Sequence, residues 1–485
     1  MEYYEIRGGV PLRGSVRVQG AKNSALPLLA AALLSGGECL IRNCPVLADT
    51  ETALEILSCL GCRVRREGDA VAVDAARLSG TSVPDALMGR MRASVLFLGA
   101  LLARTGEAEA GWPGGCALGD RPIDLHIRAF RALGARVACR DDRIVCTRGA
   151  GLRGCGFTLP YPSVGATENA MLAACAASGV TEIRNAAREP EIGDLQAFLR
   201  AMGAEVSGAG TDAVVVRGRA RLHPAEHTVM PDRIAAATFL CAAASAGGEV
   251  LVEEARAECL GPVLSALEAA GCALRAGEEG VFLRAKRPLR GIGPIRTGPY
   301  PAFPTDAQPL LAAALAGGTG STEIRETVFP RRFRYGAGLR AMGAGLRVEG
   351  QTAFLTGRPL HGAELRAEDL RGGAALVIAA LGAEGISRVR PLTHIDRGYQ
   401  SLEEDLRRLG ARILRRAEGD GADAARRGGK ETDYGQETEG NYKPQAGPHS
   451  PAHPDGGADR GVAGAGLHGV FPGGDGADRG DLPLH

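Results

Sequence analysis

The chain has 485 residues, 45% hydrophobic and 23% charged, a composition that supports folded domains with an apolar core and excludes a chain disordered throughout. With 57 Lys plus Arg against 56 Asp plus Glu the formal charge is +1, which gives no bulk electrostatic reason to expect nucleic acid or an anionic membrane as partner. The start, MEYYEIRGGVPLRG, carries no basic segment followed by an apolar one, and runs such as ALPLLAAALL at 25–34 are too short to span a bilayer. The expectation is a cytoplasmic protein without membrane insertion, whose twelve cysteines are mostly reduced core thiols.

In chain order, one kind of segment recurs that is apolar almost all round: SALPLLAAALL after Asn23, ASVLFLGALLA after Arg92, ATENAMLAACAA after Gly165, RIAAATFLCAAA after Asp232, AQPLLAAALA after Asp306 and GGAALVIAALG after Arg371. A helix without a polar face has to be buried on every side, so these six are expected at domain centres with sheets and amphipathic helices outside. Strand-like stretches such as ECLIRN, TEIRNA, VLVEEA and STEIRE follow them.

A second phrase alternates with the first: a helix ending in Leu, Met or Ala, then Gly, then a small residue, then a strand. It occurs as ILSCLGCRV, AFRALGARV, FLRAMGAEV, SALEAAGCAL, GLRAMGAGL and DLRRLGARI, around Gly61, Gly134, Gly203, Gly271, Gly343 and Gly410, 67 to 73 residues apart. Six copies of one mixed α/β unit is the simplest explanation. The glycine suits a left-handed cap between helix and strand. Cys59 and Cys62 form a CxxC, but they occupy positions that are Ala132 and Ala135 in the second copy, and no second pair completes a zinc set, so they are expected to be small core residues.

The residues before the apolar helices are mostly polar: Lys22 with Asn23, Arg92, Ser163 with Thr167, Asp232 with Arg233, Asp306, and Arg371. If the helices run parallel, their N-termini make one anion-binding face. Helix capping accounts equally well for Asp232 and Ser163. It does not account for Lys22, Arg92 or Arg371, since a cation there opposes the helix dipole and is expected to need an anionic ligand.

Between the second pair of helices lies GWPGGCALGDRP, 111–122, where Cys116 sits among glycines and prolines with Arg121 nearby. Such a thiol reads either as an inert turn cysteine or as a reactive one, with the guanidinium favouring the thiolate. After about 417 the sequence becomes GADAARRGG, GGADRG and GDGADRG without apolar periodicity; this tail, 418–485, is expected to be disordered and carries no assigned function.

Together with the six units, GAKNSALP at 20–27, PGGC at 113–116, RPIDLH at 121–126, SVGATEN at 163–169, NAAREPEI at 185–192, FPTDAQ at 303–308 and HIDRGY at 394–399 closely resemble the UDP-N-acetylglucosamine 1-carboxyvinyltransferases, enolpyruvyl transferases that open peptidoglycan precursor synthesis. The resemblance runs from residue 1 to about 417. It implies an inside-out α/β barrel fold in two domains of three units each, 1–20 plus 230–417 and 21–229, the second carrying the 111–122 loop. It implies phosphoenolpyruvate and UDP-N-acetylglucosamine as partners, with no cofactor and no metal.

By resemblance, Lys22, Arg121 and Arg397, with Asn23 beside them, hold phosphoenolpyruvate. Arg92, the segment Arg121, Pro122, Ile123, Asp124 and Leu125, then Ser163, Val164, Gly165, Asp306 and Val328 meet the UDP-sugar. Arg332 and Arg371 complete the binding set, Arg332 aligning better than Arg331 with the family's arginine. Asp306 is the expected base toward the sugar 3-hydroxyl and Cys116 the acid that protonates C3 of the enolpyruvate, the thiol that the epoxide fosfomycin alkylates in this family. Three departures stand out: Trp112 at a usually aliphatic position, Pro330 in a variable segment, and the tail. Related 3-phosphoshikimate transferases share the fold and the phosphoenolpyruvate chemistry but lack the PGGC loop and differ at GAKN. A silent paralogue that binds the UDP-sugar as a sensor is the rival from another class.

Overall fold

The protein is described by a computed structural model over residues 1–418 apart from 115–117, 119–121, 141 and 220. The expectations for Cys116, Arg121 and the tail beyond 418 therefore lie outside the described residues.

Each apolar segment is a helix: Lys22–Ala31, Leu96–Thr105, Val164–Ala174, Arg233–Ala246, Gln308–Ala316 and Leu370–Gly382. They are the inner elements because they have no face to offer water, and every residue of Arg233–Ala246 is buried. The last three touch one another pairwise, while Leu96–Thr105 packs against both Lys22–Ala31 and Val164–Ala174. Sheets and amphipathic helices surround them.

The described residues form six four-stranded mixed sheets. In the first, Glu38–Arg42 pairs antiparallel with Ala70–Asp74, which pairs antiparallel with Arg63–Glu67, and the fourth strand, Glu226–Thr228, lies parallel to Glu38–Arg42. The repeating unit is thus strand, inner helix, strand, outer helix, hairpin. Three strands are exchanged between distant parts of the chain. Glu226–Thr228 completes the first unit, Leu12–Arg17 lies parallel to Gly248–Glu253, and Glu2–Arg7 sits antiparallel between Ile386–Arg390 and Arg412–Ala417.

The repeat glycines all adopt left-handed backbone, with φ of 94° at Gly61, 89° at Gly134, 92° at Gly203, 105° at Gly271, 98° at Gly343 and 89° at Gly410. Each follows an outer helix and turns the chain into a strand, as the repeated phrase predicts.

Apolar burial divides into two cores. One runs from Ala21 to Met230 with Cys259 added; the other combines Tyr4 to Val18 with Ile234 to Ile413. The chain crosses between them at two adjacent segments, where the Ala21 amide donates to the Met230 carbonyl at 2.8 Å and the Asp232 amide to the Gln19 carbonyl at 2.9 Å.

The eleven described cysteines are free. Cys62 and Cys272 are buried as expected, and burial pushes the Cys62 thiol up to about 12 and the Cys272 thiol up to about 11. Cys59 corrects the reading of the CxxC: it is exposed, because the last turn of the helix Ala48–Cys59 faces solvent there.

Candidate active site at the inner-helix N-termini

The crossing places the N-terminus of Lys22–Ala31, from the first core, beside that of Arg233–Ala246, from the second. Asp232 caps the latter, its Oδ1 accepting from the amides of Ile234 at 2.8 Å and Ala235 at 3.0 Å, while its Oδ2 accepts from the Lys22 amide at 3.4 Å. Ser163 likewise caps its helix through the Ala166 amide at 3.4 Å, so for both residues the capping explanation holds.

The cations are another matter, and here the sequence expectation is corrected. The Lys22 ammonium donates to Asp49 Oδ2 at 3.0 Å, and Arg397 Nε donates to Asp49 Oδ1 at 3.0 Å. Arg371 Nε lies 3.3 Å from Asp306 Oδ2, and the buried Arg332 guanidinium pairs with the other oxygen of Asp306. Arg233 donates to Glu191 at 2.9 Å. Arg92 opens a 3-10 turn, Arg92–Val95, and donates to the Pro122 carbonyl at 3.0 Å. Carboxylates of this chain therefore offset Lys22, Arg233 and Arg371, and no external anion is required to explain those charges.

These pairs form one electrostatic system. Burial pushes the Lys22 ammonium down and Asp49 opposes this, but Arg371 and Arg397 add to the depression, leaving it below the ordinary lysine value. Burial would raise Asp49, yet Lys22 and Arg397 outweigh it and hold the carboxyl below its ordinary value. Asp306 follows the same logic more strongly: burial raises it, and Arg332, Arg371 and then Lys22 hold it far below the carboxylate range. Asp306 is thus ionised at neutral pH by ion pairing; it stands two residues before the helix Gln308–Ala316, whose N-cap position, Ala307, makes no side-chain capping bond. Arg371 also lies over the Tyr399 ring at 5.4 Å, and the Tyr399 hydroxyl shares a 2.8 Å hydrogen bond with Thr238.

The structure brings together Lys22, Arg397, Arg371, Asp306 and Arg332. Arg332 is buried and Arg331 exposed, which distinguishes the two neighbours. The Arg331 amide donates to the Leu118 carbonyl at 3.2 Å. Asn23 is exposed on the first helical turn, and Val328 donates its amide to Glu326 at 2.8 Å. Of the segment after Arg121, Pro122 and Asp124 are exposed, Leu125 is half-buried and Ile123 is buried. Val164 and Gly165 are half-buried at the start of their helix, with the His126 ring beside Gly165. No described group of three His, Cys, Asp or Glu residues is arranged to hold a metal ion, and no described helix is long and apolar enough to cross a membrane.

Sequence reasoning missed Asp49. It stands in the first turn of the outer helix Ala48–Cys59, where an acidic residue is already explained by the helix dipole, so nothing local marks it. It also missed a buried acidic group in which Glu168 and Glu191 lie close to Glu189, with Arg233 paired to Glu191.

A family model described as EPSP synthase (3-phosphoshikimate 1-carboxyvinyltransferase) matches residues 6–406. Among curated relatives, UDP-N-acetylglucosamine 1-carboxyvinyltransferase 2 of Caldanaerobacter subterraneus subsp. tengcongensis is 47% identical over 416 residues, covering 86% of this chain and 100% of the relative. UDP-N-acetylglucosamine 1-carboxyvinyltransferase 1 of Symbiobacterium thermophilum is 48% identical, covering 85% and 95%. Among solved structures, the enolpyruvyl transferase NikO from Streptomyces tendae superposes with a TM-score of 0.77 at 28% identity, over 85% of this chain and 98% of that one. EPSP synthase from Acinetobacter baumannii shares the fold, with a TM-score of 0.68 at 20% identity over 86% and 100%. Six units of inner helix and outer sheet, a charged cluster at the inner-helix N-termini, and near full-length relatives together establish that the chain belongs to the UDP-N-acetylglucosamine 1-carboxyvinyltransferase family of enolpyruvyl transferases.

Proposed function

We propose that the protein transfers the enolpyruvyl group of phosphoenolpyruvate to the 3-hydroxyl of UDP-N-acetylglucosamine with release of phosphate, the first committed step of peptidoglycan precursor synthesis, in the cytoplasm. The observation that carries this reading is the joining of Lys22 and Asp49 from the first core with Arg397, Arg371, Arg332 and Asp306 from the second in one charged cluster. The two cores are proposed as the domains 21–229 and 1–20 plus 230–417.

In this reading Lys22 and Arg397, with Arg121, meet the phosphate of phosphoenolpyruvate, and Asn23, Arg92, the 121–125 segment, Ser163, Val164, Gly165 and Val328 meet the UDP-sugar. The sugar oxygen adds to C2 and loses its proton toward Asp306 while Cys116 delivers a proton to C3. The Cys116 thiolate left by that step then takes a proton back from C3 as the C2–O bond to phosphate breaks, which restores the thiol and releases phosphate. Charge developing on the leaving phosphate is met by cations that are already positioned. Arg332 and Arg371 make Asp306 a weak acceptor in the free enzyme, so its part in proton transfer depends on the sugar hydroxyl drawing those guanidinia into new hydrogen bonds.

Replacing Cys116→Ser or Asp306→Ala is expected to lower turnover by at least about a hundredfold, the scale of losing a positioned proton-transfer group. UDP-sugar binding, followed by calorimetry, should survive the cysteine change better than the aspartate change. Fosfomycin should alkylate Cys116 alone; mass spectrometry finding the adduct on any other thiol, or near-full activity of Cys116→Ser, contradicts the assignment.

A further inference from the structure

Asp49 belongs to neither substrate set above, yet it is the one carboxylate that holds two of the proposed phosphate-binding cations. Its Oδ2 accepts from Lys22 at 3.0 Å, and its two oxygens accept from Arg397 Nε at 3.0 Å and Nη2 at 3.4 Å. Lys22 belongs to the helix Lys22–Ala31 of the first core, while Arg397 ends the turn Leu392–Arg397 of the second, so Asp49 is also the link between two cations on different cores. Only 7% of its side-chain surface is exposed, against 37% for Arg397. The carboxylate is therefore held behind the cations, and the arginine keeps an open side.

We propose that Asp49 is a positioning residue for phosphoenolpyruvate: it keeps Lys22 charged in a desolvated setting and fixes Arg397 across the two cores, so that a pre-formed pair of cations faces the incoming phosphate. This rests on the proposed reaction. The physical need is specific to Lys22. Burial favours its neutral amine, and Arg371 from the inner helix Leu370–Gly382 and Arg397 from the neighbouring turn act in the same direction. Opposing them are Asp49 from the outer helix and Asp306 from the segment before Gln308–Ala316, while Asp232 meets only the Lys22 amide. Asp306 is already shared by Arg332 and Arg371, and Asp232 by the amides it caps, which leaves Asp49 as the carboxylate in direct contact with the ammonium. Removing its charge lets the Lys22 proton leave at lower pH, and a neutral amine holds phosphate poorly.

The test compares the full chain with Asp49→Asn and Asp49→Glu, reading kcat/KM for phosphoenolpyruvate by phosphate release from about pH 6 to about pH 10, alongside melting temperature and calorimetric binding of UDP-N-acetylglucosamine. For Asp49→Asn the alkaline limb is expected to move down by about one pH unit or more, the usual effect of an opposite charge a few ångströms away, so that kcat/KM on the descending limb falls about tenfold or more below the parent. Asp49→Glu should restore the limb toward its original position, while UDP-sugar affinity stays within about twofold in both variants. An unmoved alkaline limb in Asp49→Asn, or equal impairment of both variants at every pH, overturns the proposal. If the parent protein releases no phosphate from its two substrates, the proposed reaction is what fails. Asp49 is then judged by calorimetric titration with phosphoenolpyruvate across the same pH range: earlier alkaline loss of binding in Asp49→Asn supports the positioning role, and coincident profiles overturn it.

Discussion

At the scale of single residues the charged cluster and the acidic group behind it show opposite solutions to burying carboxylates. Asp49 and Asp306 are each held by two cations and stay ionised. Glu168 is buried, its Oε1 has no hydrogen-bond partner among the described residues, and burial followed by repulsion from Glu191 and Glu189 raises its carboxyl well above the ordinary value. Arg233 is engaged by Glu191 and does not relieve it. A carboxyl that prefers its proton in the folded state contributes stability that is complete below the unfolded pKa of 4.5 and is lost as pH rises toward the folded value. Glu168→Gln is therefore expected to melt above the parent near pH 8, with the difference shrinking toward about pH 4, where the parent acid is protonated in both states. Equal destabilisation of the variant at both pH values contradicts this account. These two kinds of carboxylate were unequally visible in the sequence. Asp306 stood out because FPTDAQ precedes an apolar helix and matches the family's base, whereas Glu168, although inside the family segment SVGATEN, matched no assigned role, and Asp49 within ADTETALE has the helix dipole as a sufficient local reason.

At the scale of the elements, the repeat made most of the secondary structure readable. The alternation of an all-apolar segment with a Gly-ended amphipathic one specified both helix types and the left-handed turn after the second. The strand exchanges were not readable at that level, because Glu2–Arg7, Leu12–Arg17 and Glu226–Thr228 are ordinary short strands whose partners are fixed only by packing of the whole chain. Two repeat glycines separate the conformational cost from the steric one. A Cβ on Gly410 would meet nothing within 4 Å, so Gly410→Ala carries only the left-handed backbone penalty, about 1–2 kcal/mol. At Gly61 the Cβ would also lie 2.8 Å from the Ser79 amide nitrogen and 2.5 Å from its Oγ. Gly61→Ala should therefore lower the melting temperature more than Gly410→Ala, measured side by side by calorimetry; an equal or smaller effect at Gly61 means that the Ser79 segment yields freely.

At the scale of the molecule, two cores linked by a double crossing put the N-termini of inner helices from both cores into one cluster, whose charged side chains are drawn from both. That arrangement explains why no single stretch of sequence reads as the site. Lys22 and Arg397 are separated by almost the full described chain, and their common partner Asp49 by 27 residues from one and 348 from the other. The central claim is that this cluster serves enolpyruvyl transfer to a UDP-sugar. The most direct measurement is phosphate release by the full chain, followed with phosphoenolpyruvate plus UDP-N-acetylglucosamine, with each alone, and with shikimate 3-phosphate in place of the UDP-sugar. The account predicts release only with the first pair, together with a UDP-sugar product heavier by one enolpyruvyl group. Binding of both substrates without release, or release with shikimate 3-phosphate and not with the UDP-sugar, would contradict it.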